Sequence, residues 1–111
     1  MTMTALQAAV MNDALALDQE RLTRFCQDRR IKKLALFGSR LEKTHRANSD
    51  VDLLVEFEAG ATPTLLDMSD MESELSLMLG GLPVDLRTEQ ELSRYFRDEV
   101  LLKAEVQFAA P

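Results

Sequence analysis

Apolar positions along this chain alternate between a helical and a strand period, and the switches mark its elements. From Asp18 onward Leu22, Phe25 and Cys26 fall at the i, i+3, i+4 spacing of one helical stripe. The basic cluster Arg29, Arg30, Lys32 and Lys33 then suits a helix C-terminus, where unpaired carbonyls favour cations. Residues 34–37 (Leu-Ala-Leu-Phe) read as a short buried strand ended by Gly38. A helical turn with Ser39 near its start is expected over 39–43, followed by a polar loop over 44–49. Residues 51–57, rich in β-formers, predict a second strand. After a connector containing Gly60, Pro63 suits the first turn of a long helix, with Thr64 and Asp67 as a capping pair. Its apolar face carries Leu65, Met68, Met71, Leu75 and Met78, and Gly80-Gly81 stops it. Residues 82–86 predict a third strand, which Pro83 places at a sheet edge or at its own start. Thr88 and Glu91 form a capping-box pair opening a last helix, with Leu92, Tyr95, Phe96, Val100 and Leu101 on its buried side. A short terminal strand is expected over 106–108.

The connection between the first two strands is too short for a helical crossover, so they are expected to be antiparallel neighbours. The long helix before the third strand permits a parallel crossover. The fold class is therefore α/β (α+β): a small mixed β-sheet with helices packed mainly on one face. Residues 1–17, alanine-rich, are expected to form a helical N-terminal extension to a domain over 18–108.

Composition narrows the function. A chain of 111 residues can bury one core without disulfides, and its single cysteine, Cys26, excludes an intramolecular disulfide and a cysteine-rich zinc site. A net charge of −6 repels phosphate backbones, so nonspecific nucleic-acid binding is not expected. No apolar run is long enough to cross a bilayer, and no Lys or Arg precedes Arg21 to give the basic start of a secretory signal. A cytoplasmic protein with no membrane association is the expectation.

The chemistry concentrates in two motifs. On a strand, residues i and i+2 share a face, so Asp50 and Asp52 project together while Val51 points into the opposite layer. Two carboxylates at that spacing suit a hard divalent cation, or two cations about 3.5–4 Å apart. An isolated Asp-x-Asp is ordinary loop polarity, but here Gly38 and Ser39 end the neighbouring strand. Glycine allows a ligand close to backbone N–H groups, serine adds a hydroxyl, and a starting helical turn presents free N–H groups to an anion. Arg40 either reaches a terminal phosphate or is a solvated surface charge. If the strands are antiparallel, this phosphate cradle and the carboxylate pair meet at one sheet edge. Asp85, inside the apolar run Leu82-Pro83-Val84-Asp85-Leu86, is costly there unless paired or metal-bound, and is read as a third metal or base residue.

Gly38-Ser39, ten residues, then Asp50-Val51-Asp52 resembles the signature of the minimal nucleotidyltransferases, a branch of the DNA polymerase β-like superfamily. The wording Leu-Phe-Gly-Ser-Arg and Ser-Asp-Val-Asp-Leu-Leu-Val-Glu-Phe is similar to that family's, and Asp85 stands where its third acidic residue is expected. The resemblance implies a nucleotidyltransferase fold, ATP or another nucleoside triphosphate as donor, and two Mg²⁺ ions. It implies metal binding by Asp50 and Asp52, a metal or base role for Asp85, and phosphate binding by Gly38 and Ser39. Many small members are antitoxins that transfer AMP to a tyrosine of a partner HEPN-domain toxin, so a HEPN partner is implied too. One departure is Leu41-Glu42-Lys43, where members often carry Ala-Arg-Gly; Lys43, His45 or Arg46 are candidates to replace the missing positive contact.

Two other readings compete with an AMP-transferring antitoxin. One is a binding module that neutralises its partner by contact alone. The other is a small-molecule (antibiotic) nucleotidyltransferase, disfavoured because 111 residues are few for a further substrate domain. A homo-oligomer stays open. His45 reads as solvent-facing, Cys26 and the methionine stripe as core, and Tyr95 as packing with Phe96.

Overall fold

Asp18 starts the first helix: its carboxylate accepts the Glu20 and Arg21 backbone N–H groups at 3.0 and 3.3 Å. The computed structural model describes residues 18–38 and 50–111. The expected N-terminal helix over 1–17, the turn over 39–43 and the loop to Ser49 lie outside the described residues, as do Ser39, Arg40, Lys43, His45 and Arg46. Helix α1 spans Gln19–Asp28 and buries Leu22, Phe25 and Cys26, the stripe expected from spacing. The basic cluster falls after it rather than in its last turn: Arg29 is the C-cap, and Arg30 turns the chain at φ 58°.

Strands β1 (Ile31–Phe37) and β2 (Val51–Phe57) pair antiparallel, as the short connection requires. The first begins three residues earlier than expected. Ile31 is fully buried opposite Phe57, and Lys32 is held at the rim by Glu56 at 3.6 Å. Helix α2 (Leu65–Met78) opens with the expected capping box, Thr64 N–H donating to Asp67 at 2.9 Å and Asp67 N–H to Thr64 Oγ1 at 3.1 Å. Pro63 stands just outside this box instead of in the first turn. Met71 and Leu75 are buried and Met68 and Met78 pack at the margin, but Leu65 faces solvent. Strand β3 (Val84–Arg87) then pairs parallel with β2, starting only after Pro83, whose carbonyl accepts the Val51 N–H at 2.8 Å.

The continuous last helix is a correction. Thr88 and Glu91 do form their capping box, but it closes only a 3₁₀ turn, Glu89–Glu91, after which Leu92 is extended at ψ 141°. Carbonyls of the turn and of Leu92 are bonded from a distance. The Arg97 guanidinium donates to the carbonyls of Glu89, Gln90 and Leu92 at 3.1, 3.4 and 3.0 Å. Helix α3 (Arg97–Lys103) follows as two short turns. Of the expected buried side, Leu92 is buried and Val100 partly so, whereas Tyr95, Phe96 and Leu101 are exposed. Tyr95 lies under the Arg94 guanidinium, 5.3 Å from the ring centre. Strand β4 (Glu105–Ala109) closes the chain, antiparallel to β1.

The sheet order is β3-β2-β1-β4, with β3 at an edge. One crossover runs outward from β2 to β3, the next returns from β3 past β2 and β1 to β4. Two right-handed crossovers in opposite directions take their connections over opposite faces. Helices α1 and α2 cover one face, where Leu34, Leu36, Val51, Leu53, Val55, Leu86 and Phe108 form the core with them. The other face receives the 3₁₀ turn and α3, and carries the chemistry.

Candidate active site

Strand register alone brings the acidic residues to one place. Val51, Leu53 and Val55 point into the helical core, so Asp52 and Leu54 face the other way. Asp52 is the register partner of Phe37 on β1 and of Asp85 on β3. A row therefore runs across the sheet, Asp85–Asp52–Phe37, with neighbouring Cα atoms about 4.8 Å apart. The next row is Arg87–Leu54–Ala35. Asp50 immediately precedes β2 and is exposed. Of the six residues singled out from sequence, Gly38, Asp50, Asp52 and Asp85 gather at this sheet edge, and Ser39 and Arg40 lie outside the described residues.

Gly38 ends β1 with φ +81°, a conformation that side chains rarely adopt. A Cβ placed there would stand 3.1 Å from Asp52 Cγ and 3.2 Å from Asp52 Cβ, and would run into Asp52 Oδ2. The missing side chain is thus the space that the Asp52 carboxylate occupies. This is a packing requirement for glycine, additional to any approach of a ligand.

Electrostatics shows how closely the carboxylates gather. Burial pushes the Asp52 carboxyl above its ordinary value, the charges of Asp85 and Asp50 push it further, and Arg87 pulls it back. Arg87 is a residue that motif spacing did not single out. Its Nε donates to Asp85 Oδ2 at 3.0 Å and its Nη2 lies 2.9 Å from the same oxygen as an ion pair, with both side chains partly exposed. The signal available in sequence was parity: Arg87 stands two residues after Asp85 on one strand, hence on the same face. Glu72 was also missed. Its Oε2 accepts the Leu86 N–H on the open edge of β3 at 2.8 Å and ties α2 to the strand that carries Asp85.

Hard carboxylate oxygens from Asp50 and Asp52, with Asp85 on the next strand, are the donor chemistry that a divalent cation such as Mg²⁺ takes. Among the described residues no group of three acidic, His or Cys side chains is already drawn together as a ligand set. Arg87 already holds Asp85 Oδ2. The donors fit a divalent cation in type, and the third of them is paired with an internal cation. Beyond the acidic row, the same face continues into a cavity of about 290 Å³, lined by Lys33, Ala35, Leu54, Glu56, Glu89 and Leu101 among others.

The family model for the nucleotidyltransferase domain matches residues 19–108. Protein adenylyltransferase MntA of Thermococcus cleftensis is 35% identical over 71 residues, covering 64% of this chain and 69% of that protein. A crystal structure of a toxin-antitoxin with AMP-PNP superposes with a TM-score of 0.65 at 21% identity, covering 85% of this chain and 75% of the other. A tri-AMPylated Shewanella oneidensis HEPN toxin in complex with its MNT antitoxin gives 0.57 at 17% identity, covering 83% and 70%. At those identities the two structures speak for the fold alone. The family match runs through all four strands and the helices between them, so this chain, with its acidic row set across β2 and β3, belongs to the nucleotidyltransferase domain family and is a nucleotidyltransferase.

Proposed function

We propose that this chain transfers AMP from ATP to a hydroxyl of a partner protein, a tyrosine of a HEPN-domain toxin, and so acts as an antitoxin. The observation that carries the reading is Asp52 held between the Gly38 turn on one side and Asp85 on the other. The names of its relatives support the choice of substrate and partner. The Thermococcus cleftensis protein is a protein adenylyltransferase, and the structural neighbours are toxin-antitoxin complexes, one with AMP-PNP and one with an AMPylated HEPN toxin.

Asp50, Asp52 and Asp85 would hold two Mg²⁺ ions, which when bound supply charge neutralisation to the triphosphate. Gly38 and Ser39 are assigned to the phosphate oxygens, with Arg40 as a candidate for the outermost one. The acceptor oxygen attacks the α-phosphorus of ATP and gives its proton to Asp85. A new O–P bond forms, the bond to the bridging oxygen of the β-phosphate breaks, and pyrophosphate leaves. Rate enhancement comes from alignment and from charge placed where it develops. ATP as donor places the reaction in the cytoplasm.

Exposed Tyr95, Phe96 and Leu102 favour a second reading, in which contact alone neutralises the toxin. One experiment separates the two. Pure protein is incubated with a HEPN partner, Mg²⁺ and α-labelled ATP, alongside Asp50→Asn and Asp52→Asn variants. Label on the partner that is lost with both variants supports transfer. Full neutralisation by both variants, without label, supports contact.

A further inference from the structure

Arg87 stands on the same sheet face as the acidic row, one register step from Asp52 and directly beside Asp85. The guanidinium meets one oxygen, Asp85 Oδ2, through an Nε–H hydrogen bond at 3.0 Å and an ion-pair contact from Nη2 at 2.9 Å. The geometry around this pair leaves somewhere for the guanidinium to go. Asp85 and Arg87 lie along a groove of about 550 Å³ between β3 and α2, lined also by Met68, Glu72, Thr88 and Glu91. Glu91 already acts electrostatically on Arg87, so one acidic neighbour outside the metal-binding set remains when Asp85 is given up. Nearly half of the Arg87 side chain is open to solvent, and its pairing is consequently of the modest strength that a cation can displace.

We propose that Arg87 is a resident counter-ion of the third carboxylate: it holds Asp85 while the site is free of metal and yields Asp85 Oδ2 when a divalent cation enters. Arg87 is thus a positioning residue for the transfer reaction. It limits repulsion between Asp85 and Asp52 in the empty site, at the cost of competing with metal. This inference rests on the metal-dependent reading under Proposed function. It concerns a residue that the acidic motif does not contain, paired directly with the carboxylate on β3.

The test is a Mn²⁺ titration without nucleotide, by calorimetry, on the wild-type chain, Arg87→Gln and Arg87→Lys, with melting temperatures in EDTA and in saturating Mn²⁺. Arg87→Gln is expected to bind Mn²⁺ about two- to fivefold more tightly. It should also melt lower than wild type in EDTA, with the gap closing in Mn²⁺. Arg87→Lys, which keeps the charge but loses the two-pronged contact, should fall between them. In an Asp85→Asn background, most of the effect of Arg87→Gln on Mn²⁺ affinity should vanish. Wild-type binding with unchanged or weaker affinity in Arg87→Gln overturns the counter-ion role and leaves the metal-dependent transfer standing. No Mn²⁺ uptake by the wild-type chain overturns both.

Discussion

Replacing Gly38 by alanine asks whether the turn is glycine for its backbone or for the carboxylate beside it. Two costs are separable. The left-handed backbone at φ +81° penalises any side chain by about 1–2 kcal/mol. The new methyl would also sit 3.1 Å from Asp52 Cγ and run into Oδ2, so Asp52 must leave its rotamer at a further cost of about 0.5–1.5 kcal/mol. Gly80 provides the control. Its φ of +72° is close to that of Gly38, but a Cβ there meets nothing within 4 Å. Gly80→Ala should therefore cost about 1–2 kcal/mol, and Gly38→Ala about 1.5–3.5 kcal/mol.

Urea unfolding of both variants gives these values directly, since the slope of the transition should not change. Either loss is small enough, against a typical total of about 5–15 kcal/mol, to leave a folded protein for assay. Transfer activity should separate the variants more sharply. Displacing the Asp52 carboxylate by about 1 Å is expected to cost on the order of 100-fold in rate, while Gly80→Ala stays near wild type. Adding Asp52→Ala removes the carboxylate that the methyl strikes, so the stability cost of Gly38→Ala should fall toward that of Gly80→Ala in that background. Equal stability losses for the two alanine variants, together with normal transfer by Gly38→Ala, would refute the packing argument.

Other outcomes follow from burial and charge. Because the Asp52 carboxyl lies above its ordinary value of 3.8 in the fold, the native state holds that proton more tightly than the unfolded chain does. The associated stability is complete below the ordinary value and declines as pH rises through the raised one; in EDTA, Asp52→Asn should abolish this decline and melt higher than wild type near pH 7. Thr64→Ala removes the acceptor for the Asp67 N–H at the head of α2 and should destabilise by about 1 kcal/mol in urea, with the site unchanged. Burial pushes the Cys26 thiol up to about 12, so a thiol reagent at pH 8 should label the unfolded chain at once and the native chain only as it opens.

The parts of this fold legible in the sequence were those that local physics decides. Enrichment in β-formers placed β2 at Val51–Phe57, spacing gave the Leu22, Phe25 and Cys26 stripe, and the short link after Gly38 required an antiparallel pair. The last helix was misread because a capping box and an apolar period describe a helix start, not its length. The helix stops where Leu92 turns extended, and Arg97, five to eight residues downstream of the carbonyls of Glu89, Gln90 and Leu92, takes all three. Leu65 illustrates the same limit: its spacing fits the buried stripe, but it lies in the first turn, beyond the reach of the sheet.

The site divides along the same line, between information carried by residue type and information carried by register. Asp50, Asp52 and Asp85 announce themselves as carboxylates beside or within apolar strands, but that Asp52 and Asp85 are direct partners depends on how β3 docks in parallel on β2. Once that register is known, strand parity places Arg87 on the acidic face without further assumption. An arginine two residues after Asp85 on the same edge strand pairs with it directly, Nε donating to Asp85 Oδ2 at 3.0 Å. The same register that assembles the acidic row therefore also sets a cation against it, and under the counter-ion proposal a divalent cation enters as Arg87 leaves Asp85 Oδ2.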